Sequence, residues 1–510
     1  MKPEKILITW ITAVLPVFGG LDLRAAEAAP PRPNVLFIAV DDLRPDLGCY
    51  GRDYIKSPNI DALAKDGTVF ERAYCQQAVC SPSRTSIMTG MRPDTTKVWD
   101  LKTNFRDAQP DVVTLGQAFK KSGYFVQGMG KIYHGKLDDE PTWSVPWQTP
   151  KAPKYVLPES LEMEKKAEAA AGDKVAEGEG KSSKANSRGP AYECADVPDD
   201  TYQDGKVADL AVETLKELAK KDQPFFLAVG FVKPHLPFVS PKKYWDMYDP
   251  AEIKLATNRF VAQDSPDYAV NPNDGEIRAY SGIPPTGDMP GDLARKLRHA
   301  YYAGVSYTDA QIGRVMAELK TLGLDKNTIV VLWGDHGWNL GEHSLWGKHT
   351  NVENDVNAPL IISAPGQKAA GQSTPALAEF VDIYPTLCDL AGVPLPTHLE
   401  GVSLKPLMDN PALPWKTAAF SQYPRKSDGQ ALMGYTMRTD RYRFTVWVDR
   451  DDHTKVDAIE LYDHQTDPQE NTNVAKAPAN AELVKSLMKQ WEGGWQGAKP
   501  PAQKSEPAAG

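Results

Sequence analysis

A chain of 510 residues, 41% hydrophobic and 25% charged, is ordinary globular material, long enough for one large domain with an appendage. Its formal net charge of −9 excludes a general binder of nucleic acid or of anionic membranes, since either needs a basic balance. An anionic substrate must therefore meet positive charge gathered locally.

Residues 1–28 read as an export signal: Lys2 and Lys5, an apolar stretch from Ile6 to Gly20, then Ala26-Glu27-Ala28 as a small-x-small cleavage site. A membrane anchor needs about 20 apolar residues, and this stretch is shorter and interrupted by Pro16. No second segment suited to a bilayer follows, so the expectation is a periplasmic or extracellular protein without an integral span. Five cysteines, Cys49, Cys75, Cys80, Cys194 and Cys388, are too few for a disulfide scaffold at this length.

The first strand signal is Asn34 to Val40, a continuous apolar run suited to a strand buried on both faces. Similar runs recur at Pro224 to Phe231, Thr328 to Trp333 and, shorter, Pro359 to Ser363. Amphipathic helical patterns such as Asp204 to Lys221 and Asp292 to Leu322 lie between them. This alternation predicts an α/β protein with a large, mostly parallel sheet sandwiched by helices, spanning 30–410. Ligands of such sheets bind beyond the carboxyl ends of the strands. The residues just past these runs are Asp41-Asp42, His235 and Asp335-His336. Singly each reads as a solvated turn residue or a satisfied core histidine; gathered at one edge they read as a site.

Glu162 to Pro190 is rich in Lys, Glu, Ala, Gly and Ser and is expected to be a flexible surface insert with transient helix. From about Leu413 the texture changes. Ala431 to Thr439 and Tyr442 to Val448 read as paired strands, followed by Glu460 to Asp463 and an amphipathic helix near Ala481 to Trp491. Residues 411–498 are thus expected to form a small α+β subdomain with an antiparallel sheet, and 499–510 a disordered tail.

Asp41, Asp42 and Asp335 would repel one another in one pocket unless a cation held them together. Their oxygens suit Ca²⁺ or Mg²⁺ better than zinc, and His336 would be an unusual ligand for a hard ion. Arg84, Lys131, His134 and Lys348 supply the positive charge that a tetrahedral anion and its transition state require. His235, in Lys233-Pro234-His235-Leu236-Pro237-Phe238, is the candidate general acid, because an alkyl alcohol leaves poorly without a proton. A lone cysteine is most often a buried, inert thiol. Cys80, however, opens Cys80-Ser81-Pro82-Ser83-Arg84 with Thr89-Gly90 downstream.

On that run the chain resembles the type I sulfatases, in which Cys-x-Pro-x-Arg directs oxidation of the cysteine to formylglycine by a maturation enzyme. It is most similar to their iduronate-2-sulfatase branch, through Asp41 to Pro45, Gln76 to Cys80, Arg92 to Thr96, Lys233 to Phe238, Asp335 to Trp338, Ser421 to Arg425 and Met433 to Tyr435. The resemblance covers Pro33 to about Val474, apart from the insert. It implies an alkaline-phosphatase-like fold and a calcium ion held by Asp41, Asp42, Asp335, His336 and the modified Cys80. It further implies that Lys131 and Lys348 bind sulfate, that Arg84 and His134 support the formylglycine, and that His235 acts near the leaving oxygen. His336 stands where many sulfatases carry Asn, as in the iduronate branch. Cys194 matches a bridged cysteine of the family, yet its partner region here is the insert. The expected substrate is a sulfated carbohydrate, foremost the 2-O-sulfate of iduronate or another uronate in glycosaminoglycan fragments. The alternatives are a sulfatase for another polysaccharide, a phosphate or phosphonate ester hydrolase, and a non-catalytic binder of sulfated glycans.

Overall fold

A computed structural model of the protein describes residues 32–171, 187–273 and 275–501. The export pattern and most of the tail lie outside these residues. The centre is a seven-stranded sheet built from β1 (Asn34–Val40), β2 (Thr68–Tyr74), β3 (Phe125–Gly130), β4 (Phe225–Phe231), β5 (Thr328–Gly334), β6 (Leu360–Ser363) and β7 (Gln372–Glu379). Its order is β7-β2-β6-β5-β1-β4-β3.

β1 is flanked in parallel by β4 and β5, with Val40 opposite both Phe231 and Gly334, so three strand ends finish level. All seven residues of β1 are buried, and they alternate between two cores. Leu36, Ile38 and Val40 face a cluster with Leu297, Tyr301 and Val305, whereas Val35, Phe37 and Ala39 face one with Ile87, Leu387 and Leu404. That two-sided burial is why the run is apolar without alternation. The helices predicted from Asp204 and Asp292 are present as Gln203–Leu218 and Gly291–Thr321, both on the first face.

β6 runs antiparallel to both β5 and β2. No crossover helix separates β5 from β6; the chain builds a long loop at the site edge and returns, which an antiparallel pair permits. The segment expected to be a flexible insert is regular at both ends. Residues 158–171 form a helix (Pro158–Ala171) and Arg188–Pro190 a short strand, with 172–186 outside the described residues. The backbone entering that helix is tied down, since Val156 and Leu157 donate to the Glu193 carboxylate at 2.9 and 3.0 Å.

A second sheet of four antiparallel strands follows: β8 (Ala419–Ser427), β9 (Gln430–Arg438), β10 (Tyr442–Asp449) and β11 (Val456–Asp463). The helix Ala481–Glu492 covers it with Leu487. β8, which the sequence reading did not predict, docks onto the large sheet, where the Gln422 amide donates to Gln76 O at 2.8 Å. Among the described residues no helix is long and apolar enough to cross a membrane.

Candidate active site

Cys80 is the first residue of a helix, Cys80–Thr89, whose ten residues are all buried although most are polar. Tertiary partners explain that burial: the Ser83 hydroxyl donates to Asp335 O, and Arg84 reaches two carboxylates. The helix stops at Gly90 with φ +68°, a left-handed position where a Cβ would also sit 2.4 Å from Leu399. At its other end the positive pole of the helix dipole favours negative charge beside Cys80.

The level ends of β1, β4 and β5 deliver the rest. Asp41 and Asp42 follow β1, and Asp335 and His336 follow β5. Asp42 adopts φ +56°, rare for a non-glycine residue, and its N–H donates to Asp335 Oδ1 at 3.0 Å. Lys131 leaves β3 through Gly130 (φ +67°), where a Cβ would strike Gly230 O. Lys348 arrives on the long loop between β5 and β6.

These groups converge on one sulfur. Cys80 Sγ lies 3.2 Å from His336 Nε2, 3.2 Å from Lys348 Nζ, 3.4 Å from Asp41 Oδ1 and 3.9 Å from Lys131 Nζ. Arg84 donates from Nε to Asp335 Oδ2 at 2.9 Å and from a terminal nitrogen to Asp41 Oδ1 at 3.1 Å. Lys131 pairs with Asp41, and Lys348 with Asp42 at 2.7 Å. Burial by itself would raise the Asp41 pKa, but Lys131, His235, Arg84 and Lys348 together hold it well below the usual carboxylate range.

Two sets of donors, Asp41, Asp42, Cys80, His235 and Asp42, Cys80, Asp335, His336, each lie within 4.8 Å of one another. Burial lowers the His336 pKa to about 4, so its ring is neutral at pH 7. Its Nδ1 donates to Gly337 O at 2.9 Å, which leaves Nε2 with a lone pair. That lone pair faces Asp42 Oδ1 at 3.5 Å and Asp335 Oδ2 at 3.6 Å. Acceptors turned toward one another in a buried pocket are the arrangement a metal ion satisfies, so these residues fit one.

His235 Nε2 stands 4.0 Å from Asp41 and 3.9 Å from Asp42, while Nδ1 donates to Leu236 O at 2.6 Å. His134 is half-buried, four residues past the end of β3. Two supporting groups escaped the sequence reading. Lys233 is buried, its amine donating to His235 O and Pro237 O at 2.7 Å each, and burial holds its pKa down to about 8. Asp204 accepts from the backbone of Val232 and Lys233 at 2.8 and 2.7 Å. Lys233 stands two residues before His235, a position that could have pointed to it; Asp204 lies on the helix Gln203–Leu218, where its charge reads as a solvated face. Cys194 is unbridged.

Residues 33–393 match the Sulfatase family, and residues 341–494 match the model described as N-sulphoglucosamine sulphohydrolase, C-terminal. The chain belongs to the sulfatase family. This sulfatase is 35% identical over 527 residues to the iduronate 2-sulfatase of Mus musculus, covering 89% of this chain and 93% of that one. In fold it resembles a protein solved with its substrate D-glucosamine-2-N,6-O-disulfate, with a TM-score of 0.69 and 23% identity, covering 92% and 98% of the two chains. It resembles the phosphonate monoester hydrolase of Agrobacterium radiobacter almost equally, with a TM-score of 0.68 and 24% identity, covering 90% and 95%. The sulfatase is thus a sulfuric ester hydrolase by family, on a fold that also serves phosphorus esters.

Proposed function

We propose that this sulfatase is exported and removes the 2-O-sulfate of iduronate or a related uronate from glycosaminoglycan fragments. The nucleophile is a formylglycine made from Cys80 by a maturation enzyme, beside a Ca²⁺ held by Asp41, Asp42, Asp335, His336 and residue 80. The observation that supports this most is the convergence of a carboxylate, an imidazole and a lysine within 3.4 Å of Cys80 Sγ at a buried helix start. The substrate rests on the 35% identity to iduronate 2-sulfatase. Export rests on the pattern of residues 1–28. The division into a catalytic part, 30–410, and a subdomain, 411–498, follows the change from mostly parallel to antiparallel sheet.

A cation held by Asp41, Asp42, Asp335 and His336 would supply Lewis acidity toward the sulfate and the attacking hydroxyl. The chain's own residues do the remainder. Lys131 and Lys348, 3.9 and 3.2 Å from Cys80 Sγ, bind the sulfate oxygens and offset the charge that grows on them as sulfur is attacked. Arg84, clamped between Asp41 and Asp335, keeps both carboxylates aimed. His134 supports residue 80 from the segment after β3. His235 presents Nε2 to the leaving sugar oxygen and protonates it.

The test is a peptide mass measurement at residue 80 in protein from its native host, joined to sulfate release from a 2-O-sulfated unsaturated uronate disaccharide. Aldehyde and released sulfate are expected. A retained thiol would remove the nucleophile and favour a glycan-binding role. Faster turnover of phosphonate esters than of any sulfate ester would replace the reaction.

A further inference from the structure

We infer that Glu276 is a positioning residue for His235, fixing the imidazole where the leaving sugar oxygen must receive its proton. This rests on the sulfatase reading above and adds a residue that no motif and no metal set contains. Among the described residues, three carboxylates lie close to His235 Nε2: Glu276 Oε2 at 3.5 Å, Asp42 Oδ2 at 3.9 Å and Asp41 Oδ2 at 4.0 Å. Asp41 and Asp42 belong to the cation set and are paired with Lys131 and Lys348. Of these three, Glu276 is the nearest and stands outside that set.

Glu276 is itself held from behind. Its Oε1 accepts from Arg188 and from the Tyr280 hydroxyl at 3.3 Å, and the Arg188 guanidinium stacks 5.4 Å from the Tyr280 ring. The side chain is only 4% exposed, so the carboxylate has a fixed direction. On the far side of the imidazole, Nδ1 is tied to Leu236 O, and the loop backbone is tied to the Lys233 amine. The ring is thus gripped at both nitrogens. A separation of 3.5 Å exceeds that of a hydrogen bond, so the grip at Nε2 is charge attraction and its proton stays available to a substrate oxygen.

One segment locks the two halves together. Arg188–Pro190 pairs with Tyr280–Ser281, next to Glu276, and Tyr192–Ala195 pairs with Phe238–Pro241, next to His235. The Phe238 amide also donates to Ala191 O at 2.8 Å. Residues 188–195 therefore set the distance between Glu276 and His235.

The experiment measures kcat and KM on the 2-O-sulfated uronate disaccharide for the native enzyme, Glu276→Gln, His235→Ala and the double variant. Gln retains an oxygen for Arg188 and Tyr280 while losing the charge. A general acid contributes about 10²–10⁴-fold, so its misplacement in Glu276→Gln should lower kcat about tenfold or more with KM within about twofold. In the His235→Ala background the same change should be silent, because the two act as one unit. An unchanged kcat in Glu276→Gln, a loss expressed in KM, or a further loss in the His235→Ala background would overturn the inference. A misfolded variant would show that further loss. Absence of sulfate release by the native enzyme would instead refute the sulfatase reading.

Discussion

Replacing Lys348 by Met should damage catalysis and tighten cation binding at once. Met nearly preserves the length of the side chain, so the stem keeps its packing near Trp338, whose ring lies 5.4 Å from Nζ. What is lost is one positive charge, 4% exposed, 2.7 Å from Asp42 Oδ1 and 3.2 Å from Cys80 Sγ. In the native site the three carboxylates of Asp41, Asp42 and Asp335 cancel the three cations of Arg84, Lys131 and Lys348. Removing Lys348 leaves the pocket one charge more negative. A sulfate ester then loses one fixed donor in a water-excluded site, worth about 3 kcal/mol or roughly 10²–10³-fold in kcat/KM. A divalent cation gains instead, because a competing ammonium is gone and Asp42 is released to it; the unit charge counts for about 4 kcal/mol at 4 Å and an effective dielectric near 20. The assay strips divalent ions with a chelator, then titrates Ca²⁺ while following sulfate release. The expected result is a much lower plateau reached at a lower Ca²⁺ concentration. A plateau within about tenfold of native, or a Ca²⁺ half-saturation that moves upward, would refute the charge argument.

Chelation of the native enzyme should abolish turnover and lower its thermal midpoint, with Ca²⁺ restoring both, since mutually facing acceptors at His336, Asp42 and Asp335 lose their common partner. Arg443→Met should destabilise the protein by up to about 3 kcal/mol in calorimetry, because Arg443 is buried between Glu353 and Glu470 and its loss leaves two buried carboxylates one cation short, beside Arg438 and His464. Lys233 yields a pH effect of known sign. Burial sets its folded pKa at about 8 against 10.5, so between these values the unfolded chain binds more protons and this group makes the fold more stable as pH rises. Urea titrations at low and high ends of that window should show the native protein gaining up to about 3 kcal/mol relative to Lys233→Met, and equal slopes would contradict the assignment.

The core strands were legible because strands buried on both faces must be apolar throughout, and β1 begins and ends where its composition changes, at Asn34 and Val40. β8 escaped because Ala419 to Ser427 is half-exposed and polar, with Pro424 and Arg425 in its middle, so no period-2 pattern survives. The regular ends of the 162–190 segment escaped for a related reason: their order comes from the Glu193 carboxylate and strand partners far along the chain, which composition does not encode.

The candidate site divides along the same line. Local sequence specified the residue types and their placement just past strands, since the ends of adjacent parallel strands must fall at one edge; thus Asp41, Asp42, Asp335, His336 and His235 could be grouped without coordinates. It also specified Cys80 and Arg84, one helical turn apart on one face. Only the tertiary structure decided distances and charge balance: that Lys348, 268 positions from Cys80, comes within 3.2 Å of its sulfur, that His336 is neutral with its lone pair inward, and that Glu276 faces His235. Those facts depend on loops whose paths are set by partners distant in sequence, and on burial, which turns a residue's ordinary chemistry into the shifted chemistry of a site.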